Sequence, residues 1–237
     1  MLAAQTRAEL TLTLRNGEQV LLTLVIPLAL LVALTLVPVV SVPGGSRVGF
    51  FVPGVIALAV MSSAFTGQAI AVGFERQYGV LKRLGSTPLP RSVLLGAKTL
   101  AVFGVELVQL VLVCLTGYAL GWHPHGSVLP AALLVVCGVV AFSGLGLLLG
   151  GTLRGLTALA AANLVWFALL LCGGVLFPLS QFGAASSPLG LLPSAALSHG
   201  LRHVLLDGAG LPLRDVGILL CWAALSLGAA SRLFRWE

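Results

Sequence analysis

Apolar residues in this chain come in long continuous runs separated by short polar breaks, at 20–40, 51–73, 97–121, 130–151, 156–178 and 212–231. A helix needs about 20 apolar residues to cross the hydrocarbon core of a bilayer, and each run reaches or approaches that length. The runs do not alternate with a period of two, so they predict helices and not the strands of an outer-membrane barrel. The breaks carry turn chemistry: PGGS at 43–46, STPLP at 86–90 and WHPHGS at 122–127. The first run is too long for a signal-peptide core and has no evident cleavage site, so it is read as a lasting span. The expected fold class is an all-α integral membrane protein with six transmembrane helices in a single domain, 1–237.

Three stretches depart from this pattern. Residues 179–211 are moderately apolar but cut by Pro188, Pro193 and several glycines; they predict short helices that dip into one leaflet or lie on it. Residues 3–16 place Leu10 and Leu14 at i, i+4 with Arg7 and Arg15 at headgroup level, which fits a short interfacial helix; the TLTL alternation also fits a strand. Residues 74–92 read FERQYGVLKRLGSTPLPRS and hold five charges. On a helix over 74–84, Phe74, Tyr78, Leu81 and Leu84 share one face, with Arg76, Gln77 and Arg83 away from it. Gly85 is a plausible stop, and Pro88 and Pro90 keep this helix from fusing with the next span. Such a helix offers an apolar ridge to a partner or to the membrane surface; the pattern fits both equally.

Composition strengthens the membrane reading. The chain is 58% hydrophobic and 8% charged, with a mean hydropathy of +1.09, whereas soluble domains carry about 25% charged residues. Six spans put both termini on one side. Arg7, Arg15, Arg76, Lys82, Arg83, Arg91, Lys98, Arg154, Arg232 and Arg235 then share that side, against Arg47, Arg202 and Arg214 on the other. The positive-inside rule makes the first side cytoplasmic, with Arg91 and Lys98 snorkelling to headgroup level at the third span. The net charge of +6 therefore speaks of topology, not of nucleic acid. Cys114, Cys137, Cys172 and Cys221 lie singly in different runs and read as small core residues. The histidines at 123, 125, 199 and 203 fall outside the spans without an accompanying carboxylate or cysteine set, so no metal site is expected.

Polar residues inside spans need a reason, since a charge there costs about 2.5–3.5 kcal/mol on insertion scales. Glu106 lies eight residues past Lys98, roughly 12 Å into the membrane. Gln109 is one turn further on, and Gln68 and Asn163 fall at comparable depth in the second and fifth runs. These four form a candidate polar layer along a substrate path, in which Glu106 would attract cationic amphiphiles; interhelical hydrogen bonding, by which polar residues commonly join spans, is the simpler account. The small-xxx-small patterns GYALG at 117–121 and GLLLG at 146–150 permit close helix approach.

PGVIALAVMSSAFTGQAIAVGFERQYGVLKRLGSTPLPRSVLLGAKTL at 53–100, FPLSQF at 177–182 with LLPSAALSHGLR at 191–202, and LRNGEQVLLTLVIP at 14–27 together resemble the permeases of ABC-2-type exporters. The resemblance is nearest to the bacterial drug-resistance branch typified by daunorubicin exporters. The HGLR ending departs from the small or apolar run common there. The resemblance implies a six-helix half-transporter that pairs with a second permease copy, an elbow helix at 3–16 and external re-entrant helices at 179–211. It implies a cytoplasmic coupling helix at 75–84 that docks on a separate ATPase, carried by Phe74, Glu75, Arg76, Tyr78, Leu81, Lys82, Arg83 and Leu84. It also favours Gln68 and Asn163 over Glu106 as path-lining residues. The chain has no G-x-x-x-x-G-K-[ST] loop, so ATP and Mg2+ belong to the partner subunit. The expected function is export of a hydrophobic or amphipathic substrate across the cytoplasmic membrane of a bacterium. A membrane scaffold, sensor or immunity protein, a lipid- or glycan-specific exporter subunit and a membrane-embedded enzyme are the competing readings.

Overall fold

A computed structural model describes residues 2–15, 17–37, 42, 46–86 and 90–233, with the backbone alone at 18–22, 85 and 91. Asn16, residues 38–40 of the first expected span, positions 43–45 of PGGS, Pro88 and Arg235 lie outside the described residues. Among those described, every regular element is helical: α1 (Leu2–Arg15), α2 (Gly17–Leu36), α3 (Arg47–Gln77), α4 (Val80–Gly85), α5 (Arg91–Ala119), α6 (Val128–Thr152), α7 (Gly155–Cys172), α8 (Pro193–Leu205) and α9 (Leu213–Leu233), with short turns at Leu179–Ala185 and Ser186–Leu189. Five described helices are long and apolar enough to cross a membrane, in α3, α5, α6, α7 and α9; Thr23–Leu36 of α2 is apolar but shorter. The fifth span ends at Cys172 rather than 178, because Gly173 and Gly174, the latter at φ +66°, turn the chain.

Consecutive spans run antiparallel, and side-chain contacts fix which ends meet. Arg47 at the start of α3 donates to Leu34 O and Val37 O, both at 2.6 Å, and to Thr35 O at 3.2 Å, capping the end of α2. Those carbonyls have no intrahelical partner, and a cation there also suits the helix dipole. At the opposite end of α3, Arg76 Nη1 donates to Gly151 O at 3.1 Å and Thr152 O at 2.6 Å, capping α6. One end of the bundle thus gathers the starts of α3, α6 and α9, and the other gathers their finishes.

The centre of α3 is irregular. Met61–Gly67 form a π-helical stretch, which is wider than an α-helix and turns its side chains out of register. Ser63 meets Glu106 of α5 at 2.6 Å, and Ser62 accepts from Trp166 Nε1 of α7 at 3.0 Å. Helix α6 approaches this stretch closely. A Cβ on Gly146 would lie 2.8 Å from the carbonyl oxygens of Ala64 and Phe65, and one on Gly150 would lie 2.5 Å from Ala69 O. GLLLG is therefore a genuine contact motif. In GYALG only Gly117 packs, against Val52 and Trp122, while Gly121 turns the chain at φ +87°. Phe51, Leu58, Phe65, Leu134, Phe142, Leu197 and Leu201 fill the core around this seam.

Residues 179–211 form no helix long enough to cross a bilayer. Helix α8 has 13 residues, a rise of about 20 Å, against the roughly 30 Å of a bilayer core. It is buried along most of its length against α3, α6 and α9. Arg202 ties it down, donating to Phe50 O, Gly174 O and Val175 O and covering the Phe50 ring at 3.7 Å.

The N-terminal segment is helical, not a strand. The hydroxyls of Thr6, Thr11 and Thr13 donate back to the carbonyls four residues earlier, which satisfies them within a helix. Of the Leu10–Leu14 pair, Leu10 packs inward and Leu14 does not. Leu12 and Leu14 are exposed, and Glu9 is the buried residue of α1. The reason is tertiary: α1 runs along α5, with Leu2 over Gly96 and Leu10 over Gly104, and Glu9 faces a lysine there.

Candidate functional site

The charge-rich stretch is not one helix. Helix α3 stops at Gln77, Tyr78 leaves helical geometry, and Gly79 adopts φ +71°, ψ 15° before α4 begins. That left-handed conformation is nearly free for glycine and costly for other residues, so Gly79 ends α3 as Gly commonly ends helices. The expected ridge is divided as a result. Phe74 and Tyr78 stack at 6.0 Å between centroids, and Tyr78 is 68% exposed. Leu81 turns inward and is fully buried with Val72, Leu94 and Leu147, with Leu84 half-buried beside them. Gln77, Tyr78, Val80, Lys82 and Arg83 face outward.

Behind this surface the stretch is anchored by charges expected to face water. Arg76 is buried in its cap on α6. Lys98 does not snorkel; it is 5% exposed and donates to Glu75 Oε1 at 2.7 Å and Glu9 Oε2 at 2.9 Å. One ammonium thereby joins α1, α3 and α5. Glu9 carried no periodic signal of function; its partner lies 89 residues away, a separation that no local pattern reports.

A cavity of about 520 Å³ opens beside this triad, lined by Glu9, Thr13, Ser63, Gln68, Glu75 and Lys98, by apolar residues of α1, α3 and α5, and by Tyr78 and Val80 next to the exposed face of 74–85. The expected polar layer is only partly assembled there. Gln68 lines the cavity at 6% exposure, and neither amide atom has a hydrogen-bond partner. Glu106, 1% exposed, lies off it and bonds Ser63. Gln109 turns to α2, donating to Thr23 O at 2.7 Å. Asn163 is half-buried on α7 and is not part of the cavity wall. Side chains one helical turn apart on α5 thus meet different neighbours, so shared depth does not make a shared layer.

At the opposite end a second cavity of about 570 Å³ is lined by His125, His199, Arg202, His203 and Asp207, among others. Carboxylates do accompany the histidines: Asp215 Oδ2 lies 2.9 Å from His199 Nδ1, and Asp207 Oδ2 lies 3.9 Å from His203 Nδ1. The hydrogen bond to Asp215 holds His199 above its ordinary pKa, against the opposing effect of partial burial. Among the described residues, no three His, Cys, Asp or Glu side chains cluster to hold a metal.

Comparison with known proteins places this geometry in context. The family model for the ABC-2 type transporter matches residues 2–206. The chain is also similar to "Putative transport permease YvfS" of Bacillus subtilis (strain 168), with 25% identity over 235 residues, covering 95% of this chain and 93% of that protein.

Proposed function

This chain belongs to the ABC-2 type transporter family, which makes it a multi-pass membrane permease subunit that works with an ABC ATPase and not an enzyme, and from that premise we propose that it is the permease of an exporter whose ATPase docks on residues 74–85. The observation that carries the reading is the two-sided build of this stretch. Its outer side presents Tyr78, Val80, Lys82 and Arg83, while its inner side is bolted through Glu75, Arg76 and Leu81 to α1, α5 and α6. A push on the outer side reaches three other helices without passing through a flexible loop. ATP binding, with Mg2+ in the partner, would draw two ATPase subunits together and shift the permease pair between inward-open and outward-open states.

In this reading α1 is the elbow, Leu179–Leu205 is the re-entrant cap of the exit, and two copies of the chain pair. The termini are cytoplasmic because the finishing end of α3 carries most of the Arg and Lys residues. Gln68 lies on the substrate path, and Glu106 and Gln109 hold helices together around it. The substrate is hydrophobic or amphipathic, as in the drug-resistance branch. Because Lys82 and Arg83 are exposed and lie off the cavity wall, the pair Lys82→Glu and Arg83→Glu leaves the fold intact. The expected outcome is loss of ATPase co-purification and of substrate-stimulated hydrolysis, at unchanged expression and thermal stability. Retention of both would leave a scaffold or sensor role as the better account.

A further inference from the structure

Close packing does not account for the polar groups on the wall of the inner cavity. Glu9 and Glu75 share the single ammonium of Lys98, so with both carboxylates ionised the wall carries one formal negative charge in excess. Three of the four carboxylate oxygens are used: Glu9 Oε1 accepts from Gln5 Nε2 at 3.0 Å, and Glu9 Oε2 and Glu75 Oε1 accept from Lys98. The fourth, Glu75 Oε2, is shielded from solvent without a partner. Two turns back along α3, about 10 Å away, the buried Gln68 amide lines the same cavity with both of its polar atoms unpaired. Buried polar groups are nearly always satisfied, and exceptions call for an explanation. Between these two points the wall is apolar, formed by Ala71, Phe74, Val102 and Val105.

We propose that this cavity binds a lipophilic monovalent amine. Its N–H donates to the Glu75 carboxylate after a side-chain rotation brings the unpaired Oε2 to the cavity, its aliphatic or aromatic body lies along Phe74 and Val102, and a second polar group meets the Gln68 amide, turned in the same way. The volume of about 520 Å³ falls in the range of small-molecule sites, and the excess carboxylate rejects anions by repulsion at short range. The site for a cation is thus Glu75 beside Glu9, and not Glu106, which is not part of the cavity wall. The idea rests on the permease reading in naming its substrate class, but binding can be measured apart from transport.

The full chain in lipid nanodiscs, without any ATPase, is titrated with rhodamine 6G, a cationic dye bearing secondary-amine N–H groups, and with anionic fluorescein, both followed by fluorescence polarisation. Saturable rhodamine binding is expected, weakened at least about tenfold by Glu75→Gln and severalfold by Gln68→Leu, with no saturable fluorescein binding. Equal rhodamine affinity in Glu75→Gln, or fluorescein binding as tightly, overturns the proposal. If either variant does not fold, Ala71→Cys decides: rhodamine 6G should slow its reaction with N-ethylmaleimide, read on the peptide containing residue 71 by mass spectrometry, and an unchanged rate overturns the proposal. Because no ATPase is present, failure here leaves the permease reading standing. Dye binding without ATP-driven transport in the complete complex would count against the permease reading alone.

Discussion

Lys98 shows how much one side chain carries in a charge-poor protein. It sits between two carboxylates, largely removed from solvent, and each of the three groups loses hydration on burial. Such a cluster is a weak source of net stability, but breaking it by removing one partner is costly. Lys98→Met should therefore destabilise the protein by about 3–5 kcal/mol, read as a lower thermal midpoint in nanodiscs, and the double variant Lys98→Met, Glu75→Gln should recover part of the loss. The arginines follow a related rule: Arg47, Arg76 and Arg202 each donate to main-chain carbonyls where a neighbouring helix ends. In a bilayer those carbonyls have no water to turn to, so a guanidinium with several donors is an efficient cap. Small residues matter as much. Gly150→Val would push a side chain into the carbonyl of Ala69; separation of α6 from α3 and a sharp fall in folded yield on size-exclusion chromatography are expected.

Among the elements, α3 holds most of the unexpected structure. Its π-helical stretch gives Ser62 and Ser63 partners on two different helices, and its end at Gly79 divides the exposed face of 74–85 from the buried one. Gly79→Ala meets no steric obstacle yet must hold an L-residue at positive φ, at a cost of about 1–2 kcal/mol. It should lower the thermal midpoint modestly and, by favouring one straight helix, reduce ATPase stimulation more than Val80→Ala does. At the other end of the bundle, His199 and Asp215 link α8 to α9. Since the hydrogen bond to Asp215 raises the His199 pKa, its contribution is fully present below the ordinary histidine pKa of about 6.5 and is lost as pH rises through the raised folded value. Thermal unfolding measured from pH 5 to 9 should show this decline in the native chain and not in Asp215→Asn.

At the scale of the molecule, the spans are sorted by which ends the caps join. The end with Arg76, Lys82, Arg83 and Arg154 is rich in positive charge; the end with Arg47, Arg202 and Arg214 is poor. If the rich end is cytoplasmic, a C-terminal green fluorescent protein fusion will fluoresce, while a C-terminal alkaline phosphatase fusion will stay inactive; the reverse result would invert the topology argued from charge.

Run length and hydropathy were enough to read the all-helical membrane class and its long apolar helices, because these depend on matching local apolar length to bilayer thickness. The motifs at 14–27, 53–100 and 177–202 were enough for the family. Only the tertiary structure decided that Glu9, buried beside Lys98, is the structural centre of α1, that Gly79 divides the 74–85 segment, and that Gln68 reaches the inner cavity while Glu106 and Gln109 turn away. Local periodicity gives the face of a helix on which a residue lies. It does not give the neighbour that face will meet, and in a membrane that neighbour determines whether a polar group is a cap, a strut or part of a binding wall.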